Sequence, residues 1–292
     1  MENDRTPAET LAALAEADVP LRWVIYAMPS RIGTPGESPL PVPRPAGLAA
    51  RVRVVGTKWV YDATPVDRMA ALRQPYSDRP GHYGRVNFEP EAIRAMLRAA
   101  LDGSAGQVAI HAVGDSTLAV VLGEMRVLAP AARWRPLRLR VEHGDSTDPE
   151  QLAAMADLGV VLVQNPLHLA LPQFLHARYG PERMAHLQPL RSAEAAGVAL
   201  AIGSDAGGSG RNPWLNVMMA TLHPSNPAEA LSREAALVAY TRGAAYAEGM
   251  EAEKGTLAPG MLADLAVLSQ NVLEIPPDAL PGTESVLTVI GG

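Results

Sequence analysis

Short apolar runs alternate along most of the chain with segments whose apolar residues recur every three to four positions, and this alternation predicts strands and helices in turn. Strands are predicted at 21–27, 52–61, 107–113, 137–143, 160–164 and 198–203. Helices are predicted at 7–17, 89–102, 116–129, 148–158, 189–196, 213–222 and 231–244, with Thr147-Asp148-Pro149 opening the fourth of them. Prolines at 29, 35, 39, 41, 43 and 45 make 28–50 a loop or extended crossover; 62–88 is irregular and 165–187 loop-rich. The tail changes character, with short strands expected at Gly255-Thr-Leu, Ala263-Asp-Leu-Ala-Val-Leu and Val286-Leu-Thr-Val-Ile. Apolar strands alternating with amphipathic helices place the chain in the α/β class, a parallel sheet with helices packed outside it. Six strands suffice for an open doubly wound sheet, whereas a closed (β/α)8 barrel needs eight. No Gly-x-Gly-x-x-Gly follows a strand and no P-loop is present, so the nucleotide-binding version of the open sheet lacks support.

Composition narrows the chemistry. The 292 residues include no cysteine, which excludes disulfides and thiolate ligands. A metal site must then use His, Asp, Glu or a modified Lys. With 31 acidic against 25 basic side chains the net charge is −6, which argues against a nucleic-acid partner. An aromatic content of 4% argues against a stacking platform for bases or sugars. The chain opens acidic and polar, without a secretory pattern. No apolar run reaches the roughly 18 residues of a spanning helix. The expectation is a cytoplasmic protein without a membrane partner.

Four predicted strands carry, at or near their carboxyl ends, a residue able to ligate a metal: Lys58, His111, His143 and Asp205. Singly, each has a plain structural role: a hydrogen-bonded core histidine, a helix cap for Asp205, an edge-strand lysine. In a parallel barrel, all carboxyl ends open on one face. Two imidazoles, a carboxylate and a lysine converging there suit a divalent cation.

These residues sit in longer segments: Gly56-Thr-Lys-Trp-Val-Tyr-Asp, His111-Ala-Val-Gly-Asp, Arg140-Val-Glu-His, Gln164-Asn-Pro-Leu-His, Gly203-Ser-Asp and Tyr240-Thr-Arg-Gly-Ala-Ala, with Lys254-Gly-Thr-Leu-Ala-Pro-Gly-Met-Leu-Ala-Asp-Leu-Ala-Val-Leu in the tail. Over nearly its whole length the sequence thereby resembles the metal-dependent amidohydrolase superfamily, within it the amidohydrolase 3 branch of N-substituted formamide deformylase-like enzymes. The resemblance implies a (β/α)8 barrel with a small composite β-sandwich, here a partial barrel of about strands 3–8 over 1–250 and a short sandwich segment over 251–292. It implies one or two divalent metal ions, zinc first, held by Lys58, His111, His143 and Asp205, with Lys58 at the position that is carbamylated in several relatives. Asp205 would take the proton from the attacking water, and Gln164, Asn165 and His168 would line the pocket of a small amide whose non-peptide C–N bond is hydrolysed. Asp115 would orient a ligand or cap the helix near 116.

The family's opening His-x-His pair is absent here, and no histidine precedes His82. Strands one and two are therefore expected to be missing, which implies a C-terminal portion of a longer enzyme, impaired in isolation, with exposed sheet edges that encourage self-association. His82 or His223 would be the substitute ligands. The alternative is a non-catalytic remnant or interaction module on the same scaffold, without a complete metal site. Arg68 and Arg73 are read as contacts to an anionic substrate or as solvated loop residues. Gly207-Gly-Ser-Gly is read as a turn at the mouth or an anion nest, and the loop holding His168, His176 and His186 as a lid.

Overall fold

The computed structural model describes residues 7–17, 21–28, 51–205 and 212–292. In chain order its elements are α1 (Pro7–Ala17), β1 (Trp23–Ala27), β2 (Val52–Val60), α2 (Pro90–Leu101), β3 (Gln107–Ala112), α3 (Asp115–Leu128), α4 (Ala131–Trp134), β4 (Arg140–His143), α5 (Pro149–Leu158), β5 (Val161–Gln164), α6 (Pro172–Met184), α7 (Leu190–Ala195), β6 (Ala199–Ile202), α8 (Pro213–Leu222), α9 (Arg233–Val238), α10 (Ala244–Ala247), β7 (Leu265–Leu268) and β8 (Ser285–Val289). The expected opening of α5 is present as a capping box: the Asp148 carboxylate accepts from Gln151 N at 2.8 Å, and Gln151 Oε1 accepts from Asp148 N at 3.1 Å.

Strands β1 to β6 form one sheet in strictly sequential order, each pair parallel. That order decides between the two architectures left open by the strand count. A doubly wound sheet reverses its strand order at a switch point, and none occurs here. Right-handed crossovers that always step the same way put every helix on one face of the sheet and leave the other as a barrel interior. The fold is thus a partial TIM-type barrel. Strands β7 and β8 pair antiparallel in a separate two-stranded sheet.

Side-chain alternation assigns the two faces. Trp59, Tyr61, Val108, Ile110, Val141 and Leu162 pack outward against Ile93 and Leu97 of α2, Val121 and Met125 of α3, and Leu152 and Met155 of α5. This is the main core, and burying each such side chain contributes about 1.5–3 kcal/mol. The opposite parity faces inward. Lys58 and Ala109 are register partners there, as are Val60 and His111. Deeper inside, Arg140 bonds Glu142 at 2.8 Å and the Tyr26 hydroxyl at 3.1 Å, a paired polar layer under the mouth. Helices α9 and α10 join through a π turn at Ala239–Gly243. A Cβ at Gly243 would lie 2.3 Å from the Leu200 carbonyl oxygen, so only glycine lets this helix seat on β6. That close approach accounts for the glycine in Tyr240-Thr-Arg-Gly-Ala-Ala.

Three expectations are corrected. Residues 165–187 are not a free loop or lid, because α6 spans most of the stretch. Its kink at Gly180 (φ 74°, ψ 169°), followed by Pro181, breaks the helical period that would otherwise reveal it. Leu175 and Tyr179, one turn apart, pack against Leu72 and Tyr76 of the 62–88 segment. Arg178 locks the two segments together by donating to the carbonyls of Pro65 and Val66 and pairing with Asp78. Gly255-Thr-Leu forms no strand; the chain turns there, and Lys254 pairs with Glu248 at 2.6 Å. Arg68 and Arg73 are committed to Asp78 and Asp148 and are not free for an anionic substrate. Gly207-Gly-Ser-Gly lies outside the described residues.

Candidate functional site

The carboxyl ends of β2 to β6 bring the predicted ligands together. The rings of His111, on β3, and His143, at the end of β4, are 4.3 Å apart between centroids. The His143 and His168 rings stack at 5.4 Å, and His168 Nε2 lies 3.5 Å from Asp205 Oδ2. Lys58, on the inner face of β2, is close enough for its charge to act on His111, His143 and Asp205.

Two turns of left-handed backbone aim these groups. His143 has the parity of the outward-facing Val141, but φ of +75° at His143 and +57° at Gly144 take the chain out of that alternation. A Cβ at Gly144 would meet Leu162 Cδ1 at 2.7 Å and Thr147 Oγ1 at 3.0 Å, so the turn requires glycine. Asp205 is also left-handed, with φ of +45°. Non-glycine residues held in that region concentrate at functional sites.

Each imidazole has a distinct partner. Asn165 donates Nδ2–H to the Gly203 carbonyl at 2.9 Å, which fixes its amide and presents Oδ1 to His143 Nδ1 at 2.7 Å. His143 must therefore donate from Nδ1, leaving the Nε2 lone pair for a ligand. Burial pushes the His143 and His111 imidazoles below their ordinary range, and the neighbouring cationic groups add to this for both. Both are neutral near pH 7, the form that binds metal. His168 differs. Burial would lower it, but hydrogen bonds to Asp145 and Asp205 prevail and raise it to about 10. Its imidazolium in turn holds the Asp205 carboxyl well below the usual carboxylate range.

Two carboxylates beneath these rings were not singled out from the sequence. Asp62 is fully buried and accepts from Ala71 N, Val113 N, Gly114 N and Thr117 Oγ1 at 2.7–3.1 Å, with Oδ1 3.7 Å from His111 Nε2. Burial pushes its carboxyl up to about 6 against those four bonds. Asp145 Oδ2 stands 3.4 Å from His168 Nδ1. Each follows a strand-end ligand by two to four residues, Lys58 and His143 respectively, and that recurrence is the sequence signal.

The substrate-lining trio divides. Gln164 and Asn165 are 0% and 4% exposed and lie behind the histidines, so only His168 reaches the mouth. Asp115 accepts from Arg73 N and Ser116 N, tying a loop to a helix start and orienting no ligand. His82 and His223 bond the carbonyls of Arg68 and Gln188, so neither replaces an absent ligand. A cavity of about 330 Å³ lies outside the imidazole cluster, beyond Ser146 and Tyr179. Asp148 and Glu229 on its rim are already paired with Arg73 and Ser192.

The donor set fits a divalent cation. One ligand atom each from His143, His168 and Asp205 lies within 4.8 Å of the others; His168, as an imidazolium, has no lone pair to give, which leaves His111 beside His143 as the second nitrogen donor. His111 Nε2 is buried without a hydrogen-bond partner, an expensive state that a cation would relieve. Imidazole and carboxylate ligands suit zinc or a similar ion. Among the described residues, no helix is long and apolar enough to cross a membrane.

A sequence model of the amidohydrolase family matches residues 2–292. The chain is 32% identical over 225 residues to the protein LONG AFTER FAR-RED 3 of Arabidopsis thaliana, covering 74% of this chain and 38% of that one. It is 30% identical over 194 residues to the N-substituted formamide deformylase of Arthrobacter pascens, covering 63% and 35%. Among solved structures, an uncharacterized metal-dependent hydrolase from Pyrococcus horikoshii superimposes with a TM-score of 0.69 at 24% identity, over 93% of this chain and 50% of that one. The chain thus spans less than two-fifths of the length of these two relatives.

Proposed function

Because the chain belongs to the amidohydrolase family, we propose that it carries the metal-binding residues of a hydrolase that cleaves the non-peptide C–N bond of a small amide. His111, His143 and Asp205 hold a divalent cation, zinc by preference. Lys58 would join them as a carbamate, formed when its neutral amine adds carbon dioxide and releases a proton, since an ammonium beside a cation would repel it. The observation that carries this reading is the placing of His143 beside Asp205 in one group of closely spaced ligand atoms, with the neutral His111 ring 4.3 Å from that of His143 between centroids. Similarity to an N-substituted formamide deformylase supports formamides as the first substrate class.

The chemistry a bound zinc ion supplies is Lewis acidity: it polarises a carbonyl oxygen and brings the pKa of water toward about 7. The protein's own groups do the rest. Asp205, half-exposed and ionised, accepts a proton from the attacking water. His168, an imidazolium between Asp145 and Asp205, places positive charge where the carbonyl oxygen gains negative charge and can return a proton to the leaving nitrogen. Asn165 holds His143 Nδ1, leaving the Nε2 lone pair free to ligate a cation that would bind there.

The test is direct. Purified chain, stripped by a chelator and reloaded with zinc, is assayed on a panel of N-substituted formamides and cyclic amides. Hydrolysis should appear with zinc and vanish with chelator. Folded, zinc-loaded protein that hydrolyses none of them would point to the non-catalytic scaffold instead.

A further inference from the structure

We propose that Gln188 is a positioning residue whose single side-chain carboxamide aims both His143 and His168 at Asp205. Among the described residues, Gln188 makes no hydrogen bond to His111, His143, His168 or Asp205. It is 1% exposed and lies between α6 and α7, behind the mouth. Its Nε2 donates to Asp145 Oδ1 at 3.2 Å and to the Asn165 carbonyl at 2.9 Å. Its backbone N–H donates to the Asp145 carbonyl at 2.7 Å, and its own carbonyl accepts from the buried His223 Nε2 at 2.9 Å.

The consequences run through those two acceptors. Asp145, with Oδ1 taken by Gln188, turns Oδ2 toward His168 Nδ1, whose opposite nitrogen faces Asp205. Asn165, its backbone carbonyl shared between Gln188 Nε2 and His168 N and its amide fixed on Gly203, presents Oδ1 to His143 Nδ1. The loops after β4 and β5 are thereby pinned to one another by one amide. That amide cannot be reversed, because Oε1 would then face a carboxylate and a carbonyl, two acceptors.

Gln188 also carries two costs that packing alone would remove. Its backbone is left-handed, with φ of +50°, which is strained for a long side chain. Its Oε1 is buried without a partner. A smaller or apolar residue would avoid the orphaned acceptor, so the feature that accounts for this side chain is the pair of donors on Nε2.

The inference rests on the metal reading of His143 and Asp205, and the experiment separates the two. Gln188→Met removes both donors at nearly constant size; Gln188→Glu replaces them with an acceptor facing Asp145. Each variant and the unsubstituted chain are examined metal-free by long-range ¹H–¹⁵N spectra of the imidazoles, and then by zinc affinity in chelator competition. With circular dichroism unchanged, both variants should shift the ring-nitrogen signals of His143 and His168 and weaken zinc binding about 10–100-fold, the range for lost outer-shell support. Unchanged ring-nitrogen signals and unchanged affinity would overturn the proposal. If Gln188→Met fails to fold, Gln188→Glu decides by the same two readouts. If the unsubstituted chain takes up no zinc, the metal reading fails and the imidazole spectra alone decide the role of Gln188.

Discussion

Replacing Asp62 with alanine should lower stability by about 3–5 kcal/mol, near the upper end for a single substitution. Three backbone N–H groups, of Ala71, Val113 and Gly114, and the Thr117 hydroxyl converge on this carboxylate in a site closed to water. Removing it strands all four donors, each at a penalty of roughly 1–3 kcal/mol before relaxation. Those donors lie after β3, at the start of α3 and in the 62–88 segment, so the change loosens the turn that delivers His111. Urea denaturation at unchanged slope measures the loss. Asp115→Ala is the control, since this carboxylate accepts from only two backbone N–H groups at a half-exposed position, and should cost under about 1 kcal/mol. Equal effects from the two substitutions would show that Asp62 is no hub.

Asp205→Asn should reduce turnover by about 10²–10⁴-fold, the contribution of a positioned general base. The substitution suits the question because Asn tolerates the left-handed φ of +45° at this position as well as Asp does. The side chain is half-exposed, so no buried partner is stranded. Folding should therefore be unchanged while zinc-supported hydrolysis falls. Full turnover by the Asn variant would remove Asp205 from the reaction.

The six parallel strands were legible in the sequence as largely apolar stretches, each within a few residues of its expected position, but the choice of a barrel over an open sheet came from the family resemblance and is settled by the sequential strand order. The strand-end residues were legible for the same reason, polar groups at the close of apolar runs. Their direction was not. His143 falls on the outward parity and reaches the mouth only through its left-handed backbone, which no periodicity encodes. Helix α6 was hidden by a polar composition and the Gly180–Pro181 break. Asp62, Asp145 and Gln188 were missed because their roles come from contacts distant in the chain, such as Asp62 with Val113 or Gln188 with Asp145. A carboxylate or amide between strands looks like an ordinary loop residue until the partner strand is placed.

In the proposed function, separate strand ends build one cation site. The most direct measurement is a zinc titration by calorimetry of the metal-stripped chain beside its His143→Ala and His111→Ala variants, with X-ray absorption of the loaded protein to read the ligands. Saturable zinc binding through imidazole nitrogen and carboxylate oxygen, lost in both variants, is the predicted result. Absence of zinc uptake by the folded chain, or uptake indifferent to both substitutions, would contradict it.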